Sequence, residues 1–383
     1  MAPLQRIAFV ANTSWSIYKF RLFVIGKLVE KGFDVYVLAP RDPYTPHFEH
    51  LPGLTYIELD HYKGKNISPL QDLLLYKELL RHYRTLRPNL IFHYTIKANT
   101  FGSLAAAAAG IPAISVITGL GVAFAGKGWL QFIARILYRS ALRETKEVWF
   151  LNEDDRQEFI ARRLVPAEKT FILPGEGVDT GTFSPAAPQP EEPAPPQPEK
   201  KDVTFLLIAR VIRHKGIYEF VQAAEELHRQ GLAIRCQLLG VFDEDNPMAI
   251  PREAVSEWER KNILIYLGKT DEVPPFIAQA DCIVLPSYRE GLPLSLLEGA
   301  SMAKALIAAD TAGCRDLIDD GVNGYLCRVK VGAVLARKMT DFYHLPAGIK
   351  RQMGLAGREK VLREFTRERI LEIYLHKICI YCC

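Results

Sequence analysis

A chain of 383 residues, 49% hydrophobic and 24% charged, is long enough for two or three domains, each with its own core. The net charge of +4 is too small to argue for nucleic acid, and no apolar run reaches the ~18 residues a membrane span needs. All seven cysteines lie in the second half, an odd count scattered through strand-like runs, so reduced buried thiols are expected rather than a disulfide framework.

In chain order, residues 7–10 read as a short buried strand. It begins so close to Met1 that no signal peptide is expected, which places the protein in the cytoplasm. A polar loop follows at 12–16, and Phe20, Phe23, Val24 and Leu28 give 17–30 a helical spacing. Strands are expected at 34–38, 56–59, 90–94, 114–117 and 148–151, with helices between them, notably 70–86 and 129–142. His93, at a strand end, reads as a core-edge histidine. In the helix at 129–143, Arg135, Arg139 and Arg143 are four residues apart on an apolar background. That helix either covers its own sheet or lays a basic amphipathic face on anionic lipid.

The Pro-rich, acidic stretch 184–200 cannot form a core and reads as an extended linker, with a proline-binding partner as its other use. Beyond it the alternation restarts, with strands at 203–209, 236–241, 263–267, 282–285 and 306–309, and closing helices at 334–342, 349–365 and 367–378. Strand–helix alternation in both halves predicts two parallel, doubly wound sheets. Cys379 and Cys382 with His376 make only half a zinc site, and the tail is expected to fray.

The chemistry concentrates in 287–300. A buried strand leads into a loop carrying Glu290, and Glu298 lies on the helix that the loop opens. Ligands of open α/β sheets bind at that end of the strands. Gly291 permits close backbone approach and Pro293 suits a first helical turn, where free N–H groups hold phosphate. Carboxylates beside a phosphate site fit sugar hydroxyls, which donate to them. Arg210 and Lys215 follow the strand at 203–209 and can neutralise a diphosphate without a metal. Gly240 and Gly268 each end a strand run. Asp243-Glu244-Asp245 reads as an acidic loop rather than a metal-binding D-x-D motif.

Arg210 and Lys215, followed by Glu290 and Glu298 in an E-x7-E arrangement, resemble the donor site of retaining GT-B glycosyltransferases of family 4. The resemblance implies a GT-B fold, two doubly wound Rossmann-like domains facing across a cleft, with the last helix crossing back to the first. The expected domains are 1–183, a linker at 184–200, 201–365, and a crossover helix and tail at 366–383. It implies a UDP-sugar as co-substrate, with no cofactor and no metal. Glu290, Arg210 and Lys215 would be catalytic. Glu298, Gly291, Leu292, Pro293, Gly240, Gly268 and Val273 would bind the nucleotide-sugar, Glu298 through the ribose.

The run from Ser14 to Arg21, with Lys97 and with Thr118-Gly119-Leu120-Gly121, resembles a narrower group, bacterial GalNAc transferases that extend a polyprenyl-diphosphate-linked sugar. The loop lacks the family's glycine, and Thr118 lies near where many members have histidine. The resemblance makes Ser14, Tyr18, Arg21, Lys97 and Thr118 acceptor-binding, with Arg21 and Lys97 on the acceptor diphosphate. The expected activity is retaining transfer of a hexose or N-acetylhexosamine from a UDP-sugar to a polyprenyl-diphosphate-linked saccharide. The enzyme would sit peripherally on the cytoplasmic face of the inner membrane and take no nucleic acid. Two other readings stay open: a UDP-sugar epimerase of the same fold, and a non-catalytic nucleotide-sugar-binding partner.

Overall fold

The computed structural model describes residues 5–62, 68–119, 129–185 and 202–382. Most of the expected Pro-rich linker, and Leu120 and Gly121, lie outside them. The chain divides into two compact units, Met1–Glu176 with Arg367–Cys383, and Gly177–Thr366.

The first unit holds β1 (Arg6–Val10), β2 (Asp34–Ala39), β3 (Leu54–Glu58), β4 (Leu90–Tyr94), β5 (Ala113–Ile117), β6 (Glu147–Phe150) and β7 (Thr170–Ile172). They form one sheet in the order β3-β2-β1-β4-β5-β6-β7, with every neighbouring pair parallel. The second unit holds β8 (Val203–Ile208), β9 (Ile234–Leu239), β10 (Ile265–Tyr266), β11 (Cys282–Leu285), β12 (Ala305–Ala309) and β13 (Gly324–Cys327). Their order is β10-β9-β8-β11-β12-β13, again all parallel. Both halves are the doubly wound sheets that the alternation predicts. Helices cover both faces, so central strands such as β4, β5, β11 and β12 are buried at every position and read as unbroken apolar runs. In each sheet the winding reverses once, between β1 and β4 and between β8 and β11, which makes two topological switch points.

Three expectations are corrected. The first helix spans Ser14–Glu30, not 17–30, because Thr13 is its cap: its backbone is extended and its hydroxyl accepts the Ser16 N–H. The boundary between units falls at Glu176–Gly177 rather than at 183. Val178 N–H donates to Phe365 O at 2.9 Å, and its side chain joins the core of Val361 and Phe365. The tail does not fray. A helix runs from Arg367 to Cys382, burying Ile370, Tyr374 and Ile378 against Phe9, Phe92 and Trp149. Its polar edge is tied down as well, since Lys377 and Tyr381 both donate to Glu147 Oε1 at 2.7 Å.

Cys236, Cys282, Cys314 and Cys327 are buried thiols, whereas Cys379 is exposed. His93 is wholly buried, between the Tyr83 hydroxyl at Nε2 (2.9 Å) and the Ser103 hydroxyl at Nδ1 (3.2 Å). Burial pushes its imidazole down to about 3, so it stays neutral and structural. Among the described residues, no helix is long and apolar enough to cross a membrane.

Candidate donor and acceptor sites

In the second unit, the two strands at the switch point deliver the candidate residues. Arg210 and Lys215 follow β8, and Glu290 follows β11. Lys215 Nζ lies 2.5 Å from Glu290 Oε1, and both side chains are largely covered, at 22% and 11% exposure. The two loops are sewn together: Tyr288 N–H and Ser287 Oγ both donate to His214 O, at 2.9 and 3.0 Å. Gly216 makes this approach possible. Its φ is +74°, and a Cβ there would come within 2.1 Å of Pro286 O. The Tyr288 hydroxyl donates to Glu219 Oε1 at 2.7 Å. Burial and that carboxylate push the phenol up to about 12, so it remains a donor.

Arg210 is more exposed and pairs with Asp243, Nη1 to Oδ2 at 2.7 Å. The contact follows from the sheet, because Val211 N–H donates to Val241 O and draws the two strand-end loops together. Glu244 pairs with Arg252, so two of the loop's three acidic side chains face arginines. Among the described residues, no three His, Cys, Asp or Glu side chains gather as a metal-holding group.

Gly240 N–H donates to Gly268 O at 2.8 Å, which aligns the ends of β9 and β10. A Cβ on Gly240 would fall 1.7 Å from Ala209 O, so strand packing alone requires that glycine. Val273 turns its side chain into the core with Ile277, leaving its backbone as the part able to meet a ligand. Pro293 is the N-cap of the helix Leu294–Ser301, and Glu298 lies on it at 5% exposure. The backbone of Gly291 and Leu292 is buttressed from behind by Gly313, where a Cβ would meet Gly291 O at 1.7 Å.

In the first unit the five expected acceptor residues separate. Thr118 is exposed just past β5. Lys97 follows β4, where Thr95 takes a left-handed φ of 71° and a π-helical turn, Ala98–Gly102, begins. Its ammonium pairs with Asp72 at 3.0 Å. Tyr18 is half-buried and stacks on His47. Ser14 is buried, and its hydroxyl donates to Pro40 O at 3.0 Å while accepting from Thr45. Arg21 is buried too. It pairs with Glu176, donates to Ser16 O at 2.9 Å and lies 4.1 Å over the Tyr94 ring. Burial holds the Glu176 carboxyl above its ordinary range, with Arg21 pulling against it. In this structure the side chains of Ser14 and Arg21 are engaged in the domain interior. Ser287 and Tyr288 lie within the stretch singled out from the sequence, but their role in holding the donor loops together, and that of Glu219, rests on contacts invisible in a linear pattern.

Residues 24–175 match the family described as glycosyl transferase 4-like domain, and residues 188–360 match glycosyl transferases group 1. The chain is a GT-B glycosyltransferase. It is 28% identical over 345 residues to the N,N'-diacetylbacillosaminyl-diphospho-undecaprenol alpha-1,3-N-acetylgalactosaminyltransferase of Campylobacter jejuni, covering 88% of this chain and 89% of that one. It is 25% identical over 268 residues to the UDP-Gal:alpha-D-GlcNAc-diphosphoundecaprenol alpha-1,3-galactosyltransferase of Escherichia coli, with 68% of each covered. Among solved structures, the sucrose-phosphate synthase of Thermosynechococcus elongatus superposes with a TM-score of 0.78 at 19% identity, over 98% of this glycosyltransferase and 100% of that chain. Anabaena HepE in complex with UDP gives 0.77 at 17%, over 98% and 100%. At such identities these structures speak for the fold alone.

Proposed function

We propose that this glycosyltransferase moves a hexose or N-acetylhexosamine from a UDP-sugar to a polyprenyl-diphosphate-linked saccharide in bacterial glycan assembly, with retention at the anomeric carbon and without a metal. The observation that carries the reading is the Lys215–Glu290 pair, held where β8 and β11 diverge, with Arg210 on the same strand end. The two relatives named above, whose names specify undecaprenyl-diphosphate-linked sugars, support the acceptor class.

Arg210 and Lys215 would take the diphosphate of the donor, Arg210 through its planar fork and Lys215 as a point charge. Glu290 would accept hydrogen bonds from hydroxyls of the transferred sugar, and Glu298 from the ribose. Backbone N–H groups of Gly291 and Leu292, ahead of a helix N-terminus, would meet the phosphates. The acceptor hydroxyl attacks the anomeric carbon on the face that UDP leaves. The new C–O bond forms as the bond to the β-phosphate oxygen breaks, and that oxygen takes the hydroxyl proton. The cations stabilise the charge developing on UDP, an effect worth several kcal/mol in a preorganised site.

The test is UDP release from a panel of UDP-sugars in EDTA, with and without polyprenyl-diphosphate-linked saccharides. Release is expected only with one donor and the lipid-linked acceptor together. Lys215→Ala and Glu290→Ala should each lower it about 100-fold or more at a temperature where the variant's thermal midpoint shows it still folded, since breaking this covered pair also costs some stability. Full transfer by both variants would remove the site assignment. Conversion of a UDP-sugar with no acceptor present would mean epimerisation instead.

A further inference from the structure

We propose that Trp15, Tyr18, Tyr44 and His47 form a stacking platform for a pyranose ring of the acceptor saccharide. The identity of that sugar as an acceptor rests on the function proposed above; the platform itself rests on its own geometry. Trp15 and Tyr18, three residues apart, share one side of the first helix. Trp15 is 43% exposed and leans edge-on against Phe20, with centroids 5.6 Å apart. Tyr18 stacks on His47 at 4.3 Å and lies 5.2 Å from Tyr44, and His47 is itself exposed. Tyr18, Tyr44 and His47 form one ring cluster, and the exposed Trp15, packed on Phe20, stands three residues before Tyr18 on the same helix, at the carboxyl end of β1 and β2 where open α/β sheets take their ligands.

The platform is built rather than incidental. The Asp42 carboxylate accepts the backbone N–H of Trp15 at 2.8 Å and that of Tyr44 at 2.9 Å. Thr45 Oγ1 accepts the Asp42 N–H at 3.0 Å and donates to Ser14 Oγ at 3.1 Å. These bonds clamp the helix start to the segment after β2, so the rings are preorganised before any ligand arrives. This gives a use to the buried Ser14: its hydroxyl is part of the clamp.

The chemistry favours a sugar over a diphosphate or a bilayer. Arg21, the cation on this helix expected to meet phosphate, is committed to Glu176 in the interior. The aromatic ring faces suit the weakly positive C–H face of a pyranose, a contact of the C–H to π kind. Around the rings the charges are mixed, Asp42 and the Arg41–Glu49 pair beside the exposed Lys19, rather than the cluster of cations that an anionic lipid surface selects.

Two measurements on the full-length protein test this. Saturation-transfer NMR with methyl α-N-acetylglucosaminide and methyl α-N-acetylgalactosaminide should show transfer concentrated on one face of C–H groups. Trp15→Ala, Tyr18→Ala and the surface change His47→Ala should reduce it about threefold or more, with the thermal midpoint as the check on folding. With N-acetylglucosaminyl-diphospho-decaprenol as acceptor, Trp15→Ala should raise KM about tenfold, while kcat at saturation changes far less. Decaprenyl diphosphate lacking the sugar should bind wild type and variants alike. The platform is refuted if all three variants keep wild-type saturation transfer and KM. It is also refuted if their binding to the sugar-free lipid, or to vesicles of phosphatidylglycerol, falls to the same degree, since the rings would then be a lipid anchor. The two readings fail separately. If saturation transfer to the sugar falls in the variants while no lipid-linked acceptor is turned over, the proposed function sinks and the platform stands. Turnover with wild-type saturation transfer and KM in all three variants does the reverse.

Discussion

At the scale of single residues, the donor site is a set of charges placed by backbone constraints some distance from them. Lys215 reaches Glu290 because Gly216 turns the chain through φ +74° against Pro286. Gly216→Ala meets both a left-handed backbone and a 2.1 Å clash, so it should cost more than about 1 kcal/mol of stability. It should also lower UDP release without touching a charged group. Wild-type rates and an unchanged thermal midpoint would show that the loop adjusts freely. Arg21 is the opposite case, a cation that the motif pattern places on substrate and the fold places inside. Arg21→Met leaves Glu176 buried without its partner and should destabilise the protein by about 3–5 kcal/mol. Arg21→Met with Glu176→Leu should recover much of that loss. Calorimetry distinguishes this from a substrate role, which would lower activity at constant stability. A linear motif reports spacing, and Arg21 and Lys19 differ by only two residues on one helix. Their burial differs because Tyr94, Tyr374 and Glu176, distant in sequence, close over one and not the other.

At the scale of elements, what was legible follows from burial. Central strands such as β4 and β11 are apolar at every position and could be read directly, whereas β7 and β13, short and only partly buried at the sheet edges, were missed. The closing helix was recognisable as a helix, but its anchoring was not, because Glu147 lies more than two hundred residues away from Lys377 and Tyr381. Burial alone would raise the Glu147 carboxyl, yet hydrogen bonds from Lys377, Tyr381 and Trp149 outweigh it and hold the group below its ordinary 4.5. A depressed carboxylate stabilises the fold above its unfolded value and loses that contribution as pH falls through the folded one. Acid below about 4.5 should therefore loosen the helix, and Glu147→Gln should be less stable at neutral pH and less sensitive to that acid range. Hydrogen exchange across 367–382 reads the effect directly. The helix Trp129–Glu144 carries a second prediction. Ile133, Ile136 and Leu137 are exposed beside Arg139 and Arg143, while Tyr138 and Leu142 face the core. We propose that this face rests on anionic lipid, so Ile136→Asp with Arg139→Glu should abolish sedimentation with phosphatidylglycerol vesicles. Undiminished binding would return the helix to a purely structural role.

At the scale of the molecule, each unit closes its own core, and every residue proposed to hold the UDP-sugar belongs to one unit, Gly177–Thr366. That unit buries both faces of its sheet, one against Phe220 and Phe342, the other against Leu297 and Val361. The chain enters it near Val178 and leaves it at Thr366, which pair through an isolated β-bridge, so excising it cuts two adjacent chain segments and leaves its core whole. The fragment 177–366 should therefore fold cooperatively and bind UDP within about fivefold of the full-length affinity, a difference of about 1 kcal/mol. The first unit is not separable in the same way. Without 367–383, Phe9, Phe92, Tyr94 and Trp149 lose the face that Tyr374 and Ile370 cover, and the Tyr94 hydroxyl loses its 2.7 Å partner. Fragment 1–176 should thus be soluble only when the 367–383 segment is supplied. Calorimetric titration of the 177–366 fragment with UDP decides the matter. A folded fragment that fails to bind UDP would mean that first-unit residues complete the donor site, and the assignment of Arg210, Lys215, Glu290 and Glu298 as a sufficient set would fall.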